Sequence, residues 1–325
     1  MKAVIINDDK SLSWVDVVDP VTQDNEVKIK VEVSSINRAD LLQREGSYPP
    51  PAGAPEYMGL EVSGEIVELG KDAKNWKLGD KVCALLPSGG YAEYVTAPWD
   101  MCMPVPNNFS MEQAAAIPEV YAASYLFLFW EAKIKANDTV LITAGASGLA
   151  SALIPMAKAY GCRVLTTVHT DALYEGIKNT TQADLIINTS KEKLCDVLKA
   201  ELEAGRGVDV TVDCLGGDQV GECIPYMNFD GRWIMIATLA NDITHVDMRK
   251  MYARRLRLIG TNLRSRTPAQ KAEILQSLVN DIWPFIEAGK MAPAIYKVLP
   301  ITEVEEAHDI LYRGENIGKV VMKVN

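Results

Sequence analysis

The sequence contains fewer positively charged than negatively charged residues, which disfavours binding to an anionic surface. Its 325 residues carry 33 lysines and arginines against 43 aspartates and glutamates, a formal net charge of −10. Binding to nucleic acid or to an anionic membrane needs clustered Lys and Arg, because the phosphates have to be neutralised locally. The charge therefore argues against a nucleic-acid or membrane partner, and any anion site has to be confined to a small part of the chain.

Long apolar runs and patterned cysteines are also missing. The most apolar stretch, residues 114–130, contains Pro118 and Glu119 and falls short of the roughly 20 apolar residues of a membrane span. The first residues, MKAVIINDDKSLSW, turn acidic at once, unlike a signal peptide. The six cysteines are scattered without a CxxC pair. We therefore expect reduced thiols in a cytoplasmic protein.

What the sequence does have is two kinds of repeating pattern. The first third reads as short strands, such as KAVIIN and EVKIKVEVSSI, broken by Gly, Asp and Pro turns, which predicts a β-rich module. From DTVLITA onward, apolar strands alternate with helices, which is typical of a parallel sheet covered on both faces. The last strands, AIYKVLPI and GKVVMKV, are expected to return to the β-rich module. The predicted class is α/β, a doubly wound parallel-sheet domain inserted into a β-rich domain.

Between these two patterns the spacing of MEQAAAIPEVYAASYLFLFWEA predicts a helix. Ser110 precedes it as a candidate N-cap, and Gln113 lies three residues further on, as in a capping box.

A glycine turn follows the first strand of the inserted domain, in LITAGASGLASALIPMAKAYGCRVLTTV. Gly145 and Gly148 permit positive φ and a close approach of a pyrophosphate to the N-terminus of the next helix, while Ser147 adds a hydroxyl donor. Ala150 replaces the last glycine of the dinucleotide motif, and Pro155 predicts a kink. A tight turn without a ligand is the alternative. The strand–helix units that follow favour a nucleotide.

The end of the second strand bears on which nucleotide this is. A carboxylate there would bind the ribose hydroxyls of NADH, whereas donors or cations would hold the 2′-phosphate of NADPH. His169 and Thr170 can donate to a phosphate, and Asp171 comes late for the ribose carboxylate. Lys178 and Lys191 are the nearest cations. These residues favour NADPH, with NADH possible and with an exposed loop histidine as the alternative for His169.

Several short motifs follow one another along the chain: NRADLLQREGSYPPPAG, ALLPSGGYAEYV, AAAIPE, AGASG, DCLGG, DGRW, LRSR and NIGKVVMKV. Together they resemble the medium-chain dehydrogenase/reductase superfamily, and more narrowly its zinc-free, zeta-crystallin-like quinone oxidoreductases. The resemblance covers essentially the whole chain. It implies a GroES-like domain over residues 1–118, a Rossmann domain over residues 119–265, and a return to the GroES-like domain over residues 266–325.

The residues that hold catalytic zinc in other members of this superfamily are replaced. Asn37 stands where those members have a cysteine, Leu60 replaces the histidine of a GHE motif, and the third-ligand segment AAIPEV contains no Cys or His. Zinc needs three or four N, S or O donors that converge, so no metal is expected. Quinones and polarised alkenes suit such a site, because hydride addition leaves a charge that the product itself delocalises, without a Lewis acid.

The resemblance also implies roles for individual residues. Asn37 and Tyr48 would donate hydrogen bonds to the acceptor, with Asp40 nearby for positioning. Each has a structural alternative: Asn37 and Asp40 as caps of a turn or helix, and Tyr48 as packing in the proline loop. The remaining implied residues would contact the cofactor. They are Gly145, Ala146, Ser147, Gly148 and Leu149 at the pyrophosphate, Cys214, Leu215 and Gly216 at the ribose, Ala237, Thr238, Leu239, Asn262, Leu263 and Arg264 near the nicotinamide, and Asn316 and Lys319 near the C-terminus.

Two further positions depart from the family pattern. Ala172 stands where a lysine often clamps the 2′-phosphate, and Ala123 stands where a threonine commonly contacts the nicotinamide amide. The expected activity is NADPH-dependent reduction of a quinone. An enoyl or 2-alkenal double-bond reductase and a catalytically idle nucleotide-binding protein are the alternatives. The resemblance also implies a homodimer formed through the edge strand RLRLIGTNL.

Overall fold

The computed structural model describes residues 1–324, which divide into two compact units. Unit 1 combines Met1–Ala122 with the segment that begins at Arg266, and unit 2 is Ala123–Ser265. The chain thus leaves one unit, completes the other, and returns, and the first division between the units falls after Ala122. No helix within residues 1–324 has the length and apolarity needed to cross a membrane.

The first segment of unit 1 is mostly strand. In β3, every second residue from Val27 to Val33 is fully buried, because alternate side chains of a strand point to the same face. The elements are β1 (Lys2–Ile6), β2 (Leu12–Asp16), β3 (Glu26–Ser35), α1 (Arg38–Glu45), β4 (Glu61–Leu69), β5 (Lys81–Leu85), β6 (Tyr94–Pro98), β7 (Cys102–Pro104), α2 (Met111–Ala115) and α3 (Pro118–Tyr125).

The helix predicted after Ser110 is divided into pieces. Ser110 caps α2 as expected, since its hydroxyl accepts from the Gln113 amide at 3.3 Å and the Gln113 side chain accepts from the Ser110 amide at 3.0 Å. The chain then breaks before Pro118, which starts α3, because a proline disfavours helical backbone at the residue before it. Helix α3 leads into a π-helical turn, Leu126–Glu131.

Unit 2 contains a six-stranded, wholly parallel sheet with the order β10-β9-β8-β11-β12-β13. Numbered from the first strand of the unit, this is the order 3-2-1-4-5-6 of doubly wound dinucleotide-binding domains. The elements are β8 (Thr139–Ile142), α4 (Ala150–Ala159), β9 (Arg163–Val168), α5 (Asp171–Ile177), β10 (Leu185–Asn188), α6 (Leu194–Glu203), β11 (Val208–Asp213), α7 (Asp218–Cys223), β12 (Met227–Met235), α8 (Met248–Ala253) and β13 (Arg257–Gly260).

The last segment returns to unit 1 and completes its main sheet. Strand β15 pairs with β3 in antiparallel register, Val321 opposite Ser35, and β14 pairs with β15 in parallel. This confirms the predicted class, a Rossmann-type sheet inserted into a β-rich domain. The elements are α9 (Pro268–Glu287), β14 (Ile295–Pro300), α10 (Val304–Arg313) and β15 (Lys319–Lys323), and α9 begins after Thr267 in a second capping box.

Candidate functional site

In unit 2 the strand order reverses at β8, which has β9 on one side and β11 on the other. In doubly wound sheets a nucleotide binds outside the carboxyl ends of the strands at this point. The predicted cofactor residues of unit 2 all follow carboxyl ends of its strands. Gly145 follows β8, His169 follows β9, Cys214 follows β11, Ala237 follows β12 and Asn262 follows β13. The parallel sheet therefore brings these residues to one edge.

The turn after β8 is hydrogen-bonded to the neighbouring strand β9. The Gly145 amide donates to the Thr167 carbonyl at 2.7 Å, and the Ala144 amide donates to the Thr167 hydroxyl at 3.1 Å. A Cβ on Gly145 would lie 2.2 Å from Thr166 Oγ1, so only glycine fits there. Left-handed backbone occurs at Ala144, with φ of 54°. The turn thus needs its first glycine for close packing against β9.

The start of α4 is capped by the serine of the turn. Ser147 Oγ accepts from the Ala150 amide at 3.1 Å. Ser147, Gly148 and Leu149 are half-buried, whereas Ala146 is buried, and α4 runs through Pro155 to Ala159. A small-residue turn that leads into a helix N-terminus at the switch point fits a pyrophosphate.

The loop after β11 is held by one buried carboxylate, Asp213. It accepts from the Thr143 hydroxyl at 2.9 Å, the Trp233 indole at 3.1 Å and the Leu215 amide at 2.9 Å. It also accepts from the Gly216 amide at 3.3 Å. Burial raises the pKa of Asp213. These bonds tie the carboxyl ends of β8, β11 and β12 together, so Asp213 positions the loop of Cys214, Leu215 and Gly216.

The loop after β9 places its polar residues as follows. His169 is exposed, and the Thr170 hydroxyl caps α5 by accepting from the Leu173 amide at 3.2 Å. Asp171 bonds Asn188 Nδ2 at 2.8 Å and the Lys191 ammonium at 2.6 Å. Lys191 therefore lies beside the end of this loop, bound to a carboxylate.

The remaining predicted residues of unit 2 follow β12 and β13. Thr238 bonds Asp242, and the Leu239 amide donates to the Cys214 carbonyl at 3.0 Å. Asn262 accepts from the Ser265 amide at 2.7 Å. Their exposure differs: Thr238, Leu239 and Asn262 are exposed, Ala237 and Arg264 are half-buried, and Leu263 is buried.

In unit 1, three buried side chains from distant parts of the sequence meet. Lys319 Nζ donates to Glu61 Oε1 at 2.8 Å, to Asn37 Oδ1 at 2.7 Å and to the Ile36 carbonyl at 2.8 Å. Asn37 Nδ2 donates to the same Glu61 oxygen at 2.9 Å. We call Asn37, Glu61 and Lys319 the polar triad. An ammonium has three hydrogens, and all three of Lys319 are used inside the protein.

Asp40 lies beside the triad and supports its backbone. It is fully buried, and its carboxylate accepts from the amides of Asn37 at 2.7 Å and Gly59 at 3.1 Å. Burial raises its pKa to about 6, against the lowering effect of the Asn37 amide. A carboxylate held in this way fixes the start of α1 and the turn before β4.

Tyr48 and Asn316 lie in loops of unit 1. Tyr48 is half-buried after α1, and its amide donates to the Leu42 carbonyl at 3.2 Å. Asn316 donates to the Gly318 carbonyl at 2.7 Å, just before β15.

Comparison with known proteins agrees with this architecture. Residues 23–107 match the model of the alcohol dehydrogenase GroES-like domain, and residues 181–322 match that of zinc-binding dehydrogenase. The quinone oxidoreductase of Mus musculus is 28% identical over 312 residues, covering 94% of this chain and 92% of that protein. A solved NAD-dependent alcohol dehydrogenase superposes with a TM-score of 0.85 at 25% identity, over 100% of both chains. The JamJ enoyl reductase shares the fold, with a TM-score of 0.86 at 22% identity over 99% of this chain and 98% of that one.

The chain belongs to the medium-chain dehydrogenase/reductase superfamily. It is therefore an oxidoreductase. Members of this superfamily use nicotinamide cofactors, and the edge of the unit 2 sheet has the turn, the helix start and the strand order that such a cofactor needs.

The match to the zinc-binding dehydrogenase model raises the question of whether this oxidoreductase can hold a metal ion. At the start of α1 the oxygens of Asn37 and Glu61 converge on an ammonium, that of Lys319. Across residues 1–324, no three His, Cys, Asp or Glu side chains lie close enough together to hold a metal ion. The donor set therefore does not fit zinc, since a lysine ammonium repels a cation and donates to the oxygens that would bind it.

The sequence patterns did not single out two residues of unit 1: Glu119, which contacts the triad, and His308, which is buried in the same unit. The Glu119 amide donates to Glu61 Oε2 at 2.8 Å. His308 is fully buried, with its ring 6.2 Å from that of Tyr91 and edge-on to it. Within residues 1–324, neither ring nitrogen of His308 has a hydrogen-bond partner. Glu119 belongs to the AAIPEV segment, and its carboxylate in an otherwise apolar segment is the feature that could have indicated it.

Proposed function

We propose that this protein reduces quinones with NADPH. The observation that carries the proposal is the polar triad: Asn37 stands where zinc-dependent relatives have a cysteine ligand, and its side-chain oxygen accepts from the Lys319 ammonium. A site without a Lewis acid suits an acceptor whose reduced form delocalises its own charge. The relatives named quinone oxidoreductase, 28% identical along nearly the whole chain, support the same acceptor class.

The residues of unit 2 would hold the cofactor, which when bound supplies a hydride. Ser147 and the N-terminus of α4 would bind the pyrophosphate. Asp213 would hold the loop of residues 214–216 in position to contact the ribose. His169 and the Thr170 hydroxyl hydrogen would donate to a 2′-phosphate, supporting NADPH over NADH.

Residues of unit 1 would donate hydrogen bonds to the quinone. An amide NH₂ has two hydrogens, and Glu61 takes one from Asn37. Lys319 holds the Asn37 oxygen, so the amide cannot rotate freely. Asn37 is thereby oriented to donate its second hydrogen to an acceptor oxygen, and Tyr48 would provide a phenol donor. Oriented donors of this kind stabilise developing negative charge because they need no reorganisation.

Oxidation of NADPH with small ortho- and para-quinones tests the proposal. We expect turnover with quinones and none with simple alcohols or aldehydes, and a weaker response when NADH replaces NADPH. Turnover of enones but not of quinones would favour a double-bond reductase. Cofactor binding, followed by the fluorescence of the six tryptophans, together with no turnover of any acceptor would overturn the proposal in favour of a catalytically idle protein.

We also propose a homodimer formed through β13. This strand is the edge of the unit 2 sheet and pairs only with β12 within residues 1–324, and Leu258 on it is 39% exposed. An apolar sheet edge is stabilised when a second copy pairs with it. Sedimentation at micromolar concentration is expected to show a dimer that Leu258→Lys dissociates, whereas a wild-type monomer would contradict the proposal.

A cytoplasmic location is the last part of the proposal. All six cysteines are free thiols, and four of them are buried. Thiols persist in a reducing compartment. Cell fractionation tests this directly.

A further inference from the structure

Glu119 lies in the first turn of α3, next to the polar triad. Its amide donates to Glu61 Oε2 at 2.8 Å, while the other oxygen of Glu61 is shared by Asn37 and Lys319. The Glu119 side chain itself is half-buried. Of the acids in this region, Glu61 and Asp40 are fully buried and their oxygens are occupied. Glu119 is therefore the acid that combines closeness to the triad with access to water.

The charges around Glu119 favour its neutral form. Its pKa is raised to about 7, first by burial and second by the nearby Glu61 carboxylate, with Asp40 contributing in the same direction. Lys319 and Lys271 oppose the shift. Each of these groups belongs to unit 1, so the balance is set within one compact body.

We propose that Glu119 is the proton donor of the reductase, an inference that rests on the proposed quinone reduction. A hydride gives a quinone two electrons and leaves a hydroquinone monoanion, which needs one proton. The O–H bond of the Glu119 carboxyl breaks, its electron pair stays on the carboxylate, and a new O–H bond forms on the hydroquinone oxygen. Water then returns a proton to Glu119. Hydride, proton and quinone together give the neutral hydroquinone, so the step balances.

The division of labour among the neighbouring groups follows from their contacts. The three ammonium hydrogens of Lys319 are donated to the oxygens of Glu61, Asn37 and Ile36. The nearby Glu61 carboxylate raises the pKa of Glu119 and so favours the protonated form of that acid. A general acid works best when its pKa lies near the working pH.

The pH dependence of kcat/KM for quinone reduction tests the inference. For the wild type we expect a rate that is constant below about pH 7 and falls up to tenfold per pH unit above it, because the protonated acid is required. Glu119→Gln is expected to lose this descending limb and at least 10-fold in rate at pH 6, and Glu119→Asp to keep a limb. Glu112→Gln is the matched control, since Glu112 on the adjacent α2 is paired with Lys323 at 2.7 Å and has its pKa lowered to about 2.

A second measurement does not depend on turnover. Because the pKa of Glu119 is raised in the folded protein, its ionisation destabilises the fold as pH rises from about 4.5 towards 7. Glu119→Gln is therefore expected to have a higher Tm than the wild type at pH 8 and an equal one at pH 4.5. If the wild type turns over quinones and Glu119→Gln keeps the descending limb, Glu119 is not the donor. If the wild type turns over no quinone, the proposed function has failed, and the inference fails with it.

Discussion

The ammonium of Lys319 lies 2.8 Å from Glu61 Oε1, and the two side chains are 3% and 0% exposed. Strand β15 brings the lysine to β3 and so to the start of β4, because the register of the sheet sets Val321 opposite Ser35. A buried pair of this kind adds little net stability compared with apolar packing, but removal of one partner leaves an uncompensated charge. The pair therefore matters most for how it orients Asn37.

Lys319→Met is expected to destabilise the protein by about 3–5 kcal/mol, because Glu61 is left charged and buried. Lys319→Met combined with Glu61→Gln should recover part of this loss. Urea unfolding at pH 7.5 measures both. Lys323→Met on the same strand is the control: its partner Glu112 is at 2.7 Å, but the lysine is exposed, so a loss below about 1 kcal/mol is expected. Equal losses at the two lysines would contradict the assignment.

His308 is expected to make the protein acid-sensitive. Burial lowers its pKa to about 3, with the Arg44 charge adding to the effect. Because the unfolded pKa is near 6.5, the stabilisation by the neutral ring is complete above about pH 6.5 and is lost as pH falls towards 3. At pH 4.5 this one group should cost about 2–3 kcal/mol.

His308→Leu should therefore flatten the dependence of Tm on pH between 7.5 and 4.5, while leaving the other acid-sensitive groups unchanged. His245→Gln serves as the control, since its side chain is 92% exposed. A variant at His308 that loses Tm with acid as steeply as the wild type would show that the ring is already protonated in the fold.

Gly145→Ala is expected to cost about 1–3 kcal/mol, because the added methyl overlaps Thr166 Oγ1 at 2.2 Å and Cγ2 at 2.8 Å. It should also weaken NADPH binding, since the turn would have to move away from β9. Thr166→Ala in the same chain should restore part of the stability. Gly260→Ala, where an added Cβ meets nothing within 4 Å, is the control and should change stability little. Thermal unfolding and fluorescence titration provide the two readouts.

Ala172→Lys should tighten NADPH binding by roughly tenfold and leave NADH binding unchanged, because an added cation in the first turn of α5 can pair with the 2′-phosphate. Ala172 is exposed and follows His169 and Thr170, so the longer side chain meets no packing obstacle. Fluorescence titration with both cofactors measures the ratio. Ala172→Gln supplies the length without the charge, and an equal gain from it would exclude the electrostatic explanation.

Local features of the site followed from the sequence, whereas contacts between distant residues did not. Gly145 was predicted to form a tight turn because strand, glycine and helix are adjacent in the chain. Lys319 was expected at the cofactor, but the structure places it in the polar triad with Glu61, 258 positions away. Such a contact depends on strand pairing, and no local pattern encodes it. That expectation about the cofactor stays a prediction, although all three ammonium hydrogens are engaged elsewhere.

The same holds for the helix after Ser110 and for the core. The helix cap was predicted correctly from Ser110 and Gln113. The apolar spacing, however, continues through Pro118, so it predicted one helix where the proline begins a second one. The burial of His308 could not be predicted, because the sequence pattern of an amphipathic helix does not tell whether a single histidine faces water or packs against Tyr91.

The pairing of β15 with β3 has a consequence for how the protein is made. During synthesis all six strands of unit 2 have been made once Gly260 is added, whereas the stretch of β3 near Ser35 pairs with β15 only after Val321 and its neighbours are made. A nascent chain paused between these points would carry a completed nucleotide-binding sheet beside an unfinished first domain, with Glu61 still lacking its lysine. The sheet of unit 2 is thus completed early, and the main sheet of unit 1 is completed last.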